Sequence, residues 1–224
     1  MKKTNVFMVI TVVICCAVMA VVDGIIRPGY WIKSAVKLVL FLAVPLIFAR
    51  LDKSISLSAL FRIDKKSFGL AAAVGGGVFA VILGGYFALR GVFDFSGIVS
   101  SLTSDAGVGR HNFVFVAIYI AVVNSFLEEF FFRGFAFLTL KKSASPGFAY
   151  LFSAAAFSLY HVAMMIGWFD AVLWVLVMAG LFVGGLIFNY FNQRSGTVYP
   201  SWLIHMCANL AINTVGIILI YGLN

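Results

Sequence analysis

Charged residues are scarce in this chain, and glutamate is nearly absent. Only 11% of the 224 residues are Asp, Glu, Lys or Arg, whereas a soluble domain carries about a quarter. Segments without any of these four residues cover 4–22, 67–89, 143–169, 171–193 and 195–224. Because about 20 apolar residues cross a bilayer as a helix, this scarcity argues against a soluble domain and predicts a polytopic membrane protein.

Cysteine is also rare, and its three positions are Cys15, Cys16 and Cys207. All three lie within apolar segments and match neither a paired disulfide framework nor a C-x-x-C metal motif. We therefore expect small buried side chains at these positions.

The net charge of +8 raises the question of a nucleic-acid partner. The basic residues lie between the apolar segments, where they contact lipid headgroups and set topology, and they form no folded basic face. The sequence thus predicts a lipid bilayer as surroundings and no nucleic acid as partner.

The apolar pattern predicts an all-α fold, a polytopic transmembrane bundle of about seven membrane helices. We expect them near 6–22, 34–49, 68–89, 113–140, 148–167, 171–191 and 201–221. Residues 1–111 would supply N-terminal membrane helices and loops, and residues 112–224 a helical core of the same integral membrane unit. Lys37 is expected to snorkel towards the interface, 55–61 to lie on the membrane surface, and 90–112 to form a lid or a mobile loop. Gly180 and Gly184 are at a spacing typical of close helix packing.

The loop charges predict the orientation. With the N-terminus inside, ten basic residues face the cytoplasm: Lys2, Lys3, Arg50, Lys53, Arg62, Lys65, Lys66, Lys141, Lys142 and Arg194. Five face outward: Arg27, Lys33, Lys37, Arg90 and Arg110. The positive-inside rule then favours a cytoplasmic N-terminus, and we expect the protein in the cell membrane.

Two adjacent glutamates, Glu128 and Glu129, stand inside the fourth apolar segment and are the only glutamates in the chain. Charge in hydrocarbon is costly and rarely persists without a partner or a function. Glu129 and Arg133 are four residues apart, which predicts an ion pair within one helix. Glu128 has no such local partner and is expected to be free.

Three further polar residues fall inside apolar helices: His161 on the fifth, and His205 and Asn209, four apart, on the seventh. At ~1.5 Å per residue from the cytoplasmic ends, Glu128 lies roughly 15–18 Å deep, His161 roughly 20 Å and His205 roughly 7–10 Å. Helix tilt permits these side chains to meet.

A carboxylate and two imidazoles can support several kinds of chemistry. The carboxylate can act as a general base on water, while a histidine and an amide donate hydrogen bonds to an oxyanion. The same carboxylate and histidines could instead hold zinc, although asparagine is a poor zinc ligand. A polar residue satisfied by a neighbouring helix is the structural alternative for either histidine alone.

These residues resemble the CPBP intramembrane proteases, the family of CAAX proteases and bacteriocin-processing enzymes also called Abi. Glu128-Glu129-x-x-x-Arg133 is similar to the first family motif, Phe157-x-x-x-His161 to the second and His205-x-x-x-Asn209 to the third. The resemblance covers about 113–218.

The resemblance implies an endopeptidase that cuts peptides or proteins in or beside the bilayer. By analogy, Glu128 and His161 hold the attacking water, and His205 and Asn209 stabilise the oxyanion. Glu129 and Arg133 would support the site. The family is often described as metalloproteases, and a metal-free glutamate mechanism is also proposed. Zinc is therefore a possible cofactor, with Glu128, His161 and His205 as its ligands.

Two other functions remain open at this point. One is a non-proteolytic protein of the same fold that binds a peptide, as in bacteriocin self-immunity. The other is a small transporter, in which buried ionisable residues are equally natural, although no paired discontinuous helices or repeat indicate one.

Overall fold

Seven helices long and apolar enough to cross a membrane make up most of the part of the chain that the structure describes. A computed structural model describes residues 3–105 and 107–223; Lys2, part of the charge count, lies outside the described residues. The helices, named α1 to α7 in chain order, are Lys3–Ile26, Tyr30–Leu51, Lys66–Leu89, Phe113–Lys142, Pro146–Met164, Ala171–Ser195 and Tyr199–Tyr221. The predicted all-α membrane bundle is confirmed, and the division at residues 111 and 112 stays a prediction.

Contacts between the ends of the helices show that they alternate in direction. At one end, Thr4 at the start of α1 bonds Asp52 after α2, and Asn5 bonds Ser143 after α4. At the other end, Arg110 before α4 donates to the carbonyl of Ile220 near the end of α7. An up-and-down bundle follows, with the first of these ends carrying the larger share of basic residues.

Helix α4 is the centre of the bundle. Five phenylalanines in its second half are completely buried, and they are Phe130, Phe131, Phe132, Phe135 and Phe137. The ring of Phe41 on α2 stacks on Phe131 with centroids 4.2 Å apart and planes 3° apart. A helix segment that is apolar and buried on all sides belongs in the core of a large protein or membrane bundle, and residues 127–140 of α4 fit that description.

Two stretches of α4 are wound as π-helix, at Ile120–Asn124 and Glu129–Thr139. The side chain of Thr139 bonds the carbonyl of Gly134, five residues earlier, in the same register. Such i→i+5 turns are rare and often occur at functional sites. They put more residues into each turn, so Glu128 lies closer to the basic end of the bundle than an α-helical estimate places it.

The loop at 90–112 is docked on the protein. It contains a short helix, Ser96–Ser100, and Val108 beyond it is fully buried. Gly97 lies so close to the carbonyls of Gly167 and Trp168 that an added Cβ would be 2.6–2.8 Å from their oxygens. Of the two options the sequence left open, a mobile loop does not fit these contacts.

The segment predicted to lie on the membrane surface packs partly inside the protein. Leu57 and Leu60 are buried, and the backbone of Val198 donates to the carbonyl of Leu60 at 3.1 Å. Leu60 reaches Gly134 on α4, where an added Cβ would be 2.9 Å from its methyl group. The segment therefore braces the basic ends of α4 and α7.

The glycine that packs closely against a neighbouring helix is not one of the two that the sequence predicted. Gly180 and Gly184 have open space around them, whereas a Cβ on the neighbouring Gly185 would lie 3.1 Å from the backbone of Ala154. The close approach of α5 and α6 is thus at Gly185. The three cysteines are free, as expected, with Cys15 buried and the other two partly buried.

Candidate active site

Glu128 lies at the meeting point of α2, α4, α5 and α7. Its side chain is only 2% exposed, and its Oε1 accepts hydrogen bonds from Lys37 Nζ at 3.1 Å and from Asn124 Nδ2 at 3.0 Å. The expectation that Glu128 has no partner is therefore wrong. The partner is a lysine from α2, which spacing within α4 could not reveal.

The other carboxylate oxygen of Glu128 faces two histidines. Oε2 lies 4.0 Å from His161 Nε2 on α5 and 3.7 Å from His205 Nε2 on α7. Both histidines are buried, at 7% and 6% exposed. The structure thus brings together the carboxylate and the two imidazoles whose convergence the sequence only permitted.

The far nitrogen of each imidazole is already engaged. His161 Nδ1 lies 2.7 Å from the carbonyl oxygen of Phe157, which only accepts, so Nδ1 carries the hydrogen. His205 Nδ1 lies 2.9 Å from Glu129 Oε1, and a carboxylate likewise makes that nitrogen the donor. In their neutral forms both rings then present an Nε2 lone pair towards Glu128.

Glu129 and Arg133 form the ion pair that their spacing predicts. Arg133 Nη1 lies 3.3 Å from Glu129 Oε1, and both side chains are completely buried. The guanidinium carbon lies 3.9 Å from the ring centroid of Phe157 and 4.8 Å from that of Phe188. Those rings also flank the histidines, so the pair is continuous with the site.

The π-helical stretch at Ile120–Asn124 is the part of α4 against which α7 is held. Asn209 Nδ2 donates to the carbonyl of Ile120 at 3.2 Å, and Asn213 Nδ2 donates to that of Ala117 at 2.9 Å. One turn before His205, the Trp202 indole donates to the carbonyl of Val122 at 3.0 Å. These bonds fix the height and rotation of α7, and hence of His205. Asn209 keeps a second N–H hydrogen for another acceptor.

Lys37 and Asn124 are the site residues that were not identified from the sequence. Lys37 was expected to snorkel, but it is 9% exposed and points into the bundle. A lysine inside an apolar helix was itself a signal, because intramembrane cations commonly have a functional partner. Asn124 was also detectable, since it stands four residues before Glu128 on the same face of α4.

The residues do not fit a preformed metal centre. Within the described chain, no group of three or more His, Cys, Asp and Glu side chains is arranged to hold a metal ion. Ligands of tetrahedral zinc at about 2.0–2.1 Å are about 3.3 Å apart, which is less than the 3.7 Å and 4.0 Å separations around Glu128 Oε2. The Glu128 carboxylate also forms an ion pair with the ammonium of Lys37.

Comparison with protein families gives one match. The family described as Type II CAAX prenyl endopeptidase Rce1-like matches residues 110–211. No curated protein and no solved structure matches the chain significantly. The matched region contains Glu128, Glu129, Arg133, His161, His205 and Asn209, which are the residues of the three motifs.

The match agrees with the CPBP resemblance read from the sequence, and it begins just before α4 and ends within α7. Residues 110–211, which carry Glu128 and both histidines of the site, are therefore similar to the Rce1-like family of type II CAAX prenyl endopeptidases.

Proposed function

We propose that the protein is an intramembrane endopeptidase that hydrolyses a peptide bond with water activated by Glu128 and His161. The observation that carries this proposal is the convergence of Glu128 Oε2 and the Nε2 atoms of two imidazoles in a buried site. The similarity of residues 110–211 to a family of membrane endopeptidases supports the reaction class.

The spacing of the acceptors suits a bound water. A water that donates both hydrogens at about 2.8 Å holds its two acceptors about 4.4 Å apart. Glu128 Oε2 and His161 Nε2 are 4.0 Å apart, close to that value. Water held in this way keeps a lone pair for the carbonyl carbon of the substrate. Glu128 takes one of its protons as the C–O bond forms.

In this mechanism, Asn209 and His205 of α7 stabilise the oxyanion. Asn209 has one N–H hydrogen beyond the bond to Ile120. His205 donates from Nε2 in its imidazolium form, in which Nδ1 still donates to Glu129. When the tetrahedral intermediate collapses, the proton on Glu128 passes to the leaving amine, and the C–N bond breaks. Atoms and charge balance without a further reactant.

We propose that no metal takes part. Lys37 and Asn124 occupy Glu128 Oε1, and the spacing around Oε2 is wider than zinc ligation requires. An amide and an imidazolium supply the charge stabilisation that a metal would provide.

The substrate is a peptide or membrane-protein segment that reaches the buried site from within the bilayer. We also propose a cell-membrane location with the N-terminus in the cytoplasm. Lys37 leaves the outward count because it lies in the site, so ten basic residues stand against four.

Cleavage of a membrane-anchored peptide library by the detergent-purified protein tests the proposal. Glu128→Gln keeps the shape of the side chain and removes the proton acceptor, so cleavage should fall by about 10²–10⁴-fold. Ser158→Ala is the matched control that should stay active, because the Ser158 hydroxyl bonds a carbonyl of α6 and takes no part in the chemistry. Activity in the Glu128→Gln protein equal to wild type would exclude this mechanism.

Chelation in the same assay tests the metal-free proposal. We expect full activity after dialysis against a strong chelator. Activity that is lost on chelation and restored by zinc would show that Glu128 and the histidines are metal ligands. Tight peptide binding by a wild-type protein that never cleaves would favour the binding or immunity function.

A further inference from the structure

The most unusual charge in the bundle is Lys37, which lies in the first half of α2 and outside the region of family similarity. Its side chain is 11% exposed, and its Nζ contacts Asn124 Oδ1 at 2.6 Å and Glu128 Oε1 at 3.1 Å. None of the three sequence motifs contains a residue of α2.

The three polar groups form a closed ring of hydrogen bonds. Lys37 donates to Asn124 and to Glu128, and Asn124 donates from Nδ2 to the same Glu128 oxygen at 3.0 Å. The orientation of the Asn124 amide is therefore set by both neighbours. The ring fixes the carboxylate plane as well as its position.

The four buried charges around the site are balanced in pairs. Arg133 neutralises Glu129, and Lys37 neutralises Glu128, each within 3.3 Å. An opposite charge at this range favours the ionised carboxylate, and a proton acceptor must be ionised to take a proton from water. Without Lys37, burial would favour the protonated acid, which cannot act as a base.

The hydrogen bonds to Oε1 of Glu128 also determine that Oε2 is the oxygen available to accept a proton. Because Oε1 accepts two hydrogen bonds, Oε2 is the oxygen left to face His161 and His205. We propose that Lys37 is a positioning residue for catalysis: with Asn124 it holds Glu128 as a carboxylate and turns Oε2 towards the water site. This inference rests on the proposed function and extends the site to α2.

The test compares Lys37→Met with Lys33→Met. Lys33 is on the same helix, one turn away, and is paired with Asp23 at 3.5 Å, so the control also removes an ion pair of α2. We expect Lys37→Met to lower kcat by about 10²-fold or more, with KM within about threefold, because the substrate does not contact it. Lys37→Arg, which keeps the charge, should restore kcat to within about tenfold of wild type.

Melting curves provide a readout that does not depend on cleavage. Lys37→Met leaves Glu128 buried and unpaired, so adding Glu128→Gln in the same chain should raise the melting temperature again. A Lys37→Met protein that cannot be purified, beside a double variant that can, would support the pairing in the same way.

Three results would overturn the role of Lys37. They are a kcat for Lys37→Met equal to that of Lys33→Met, no rescue by Lys37→Arg, and a double variant no more stable than Lys37→Met. A wild-type protein without activity would instead defeat the proposed function, and the melting curves would still report on the pairing.

Discussion

The two adjacent glutamates do different work because their surroundings differ. Glu128 has one oxygen bonded to Lys37 and Asn124 and the other turned to two imidazoles. Glu129 binds Arg133 and His205 through a single oxygen and is completely buried. In the proposed mechanism Glu128 exchanges a proton, whereas Glu129 holds a histidine ring and an arginine in place.

We expect Glu129→Gln to reduce stability more than Glu128→Gln does. The amide would leave Arg133 unneutralised among phenylalanine rings, and breaking a buried ion pair typically costs about 3–5 kcal/mol. Glu128→Gln keeps a carbonyl oxygen that can still accept hydrogen bonds from Lys37 and Asn124. Chemical or thermal denaturation of both variants in the same detergent measures the difference.

A stable but inactive Glu129→Gln protein would contradict this division of roles. So would a Glu128→Gln protein that is unfolded, since the proposal requires it to be folded and inactive. Arg133→Ala serves as the matched comparison, because it breaks the same pair from the other side.

At the scale of helices, the close packing of α5 and α6 depends on one glycine. A Cβ on Gly185 would lie 3.1 Å from the Cα of Ala154 and 3.3 Å from Arg133 Nη2. Those contacts leave little room for movement, because backbone cannot shift as a flexible side chain does. The same glycine therefore sets the helix distance and the space for the guanidinium.

Gly185→Leu should destabilise the protein by about 1–3 kcal/mol or more through overpacking, and should also disturb Arg133. Gly184→Leu is the control, since a Cβ added at Gly184 would meet nothing within 4 Å, and it should change stability by less than about 0.5 kcal/mol. Equal melting temperatures for the two variants would show that α5 and α6 are not in contact here.

Much of this element-scale detail could not be predicted from the sequence. Gly180 and Gly184 have a spacing typical of packing, yet the contact is made by Gly185, because the rotation of α6 depends on its neighbours. The π-helical stretches of α4 had no signal in residue type. They shorten the helix, and Asn209, Asn213 and Trp202 donate to carbonyls in or beside the first of them.

At the scale of the whole molecule, the number and limits of the helices followed closely from composition. Charge-free segments of about 20 residues and polar breaks such as Asp170, which caps α6, are enough to find them. The motifs also named Glu128, Glu129, Arg133, His161 and His205, whose side chains lie together in the structure. The contribution of α2 could not be found this way, because Lys37 meets Glu128 across 91 positions of sequence.

The orientation of the bundle gives a prediction of its own. In a background without native cysteines, single cysteines at Ser58 and Lys142 should be labelled from the cytoplasmic side, and one at Ser104 from the opposite side. All three positions are exposed in the structure. Labelling of all three from one side would contradict the alternation of the helices. The reverse pattern would show that the N-terminus lies on the outer side of the membrane.

The shielding of the site has a kinetic consequence. Glu128, His161 and His205 are each at least nine-tenths buried, so under the proposed function a scissile bond would reach them only after helices separate. Turnover is then gated by opening, and the waiting time for that event becomes part of kcat. A flexible or poorly packed segment can exploit a brief opening, whereas a stable neighbouring helix cannot unwind in time. The choice of substrate among membrane proteins would then depend on how readily a segment unwinds, and little on its amino-acid sequence.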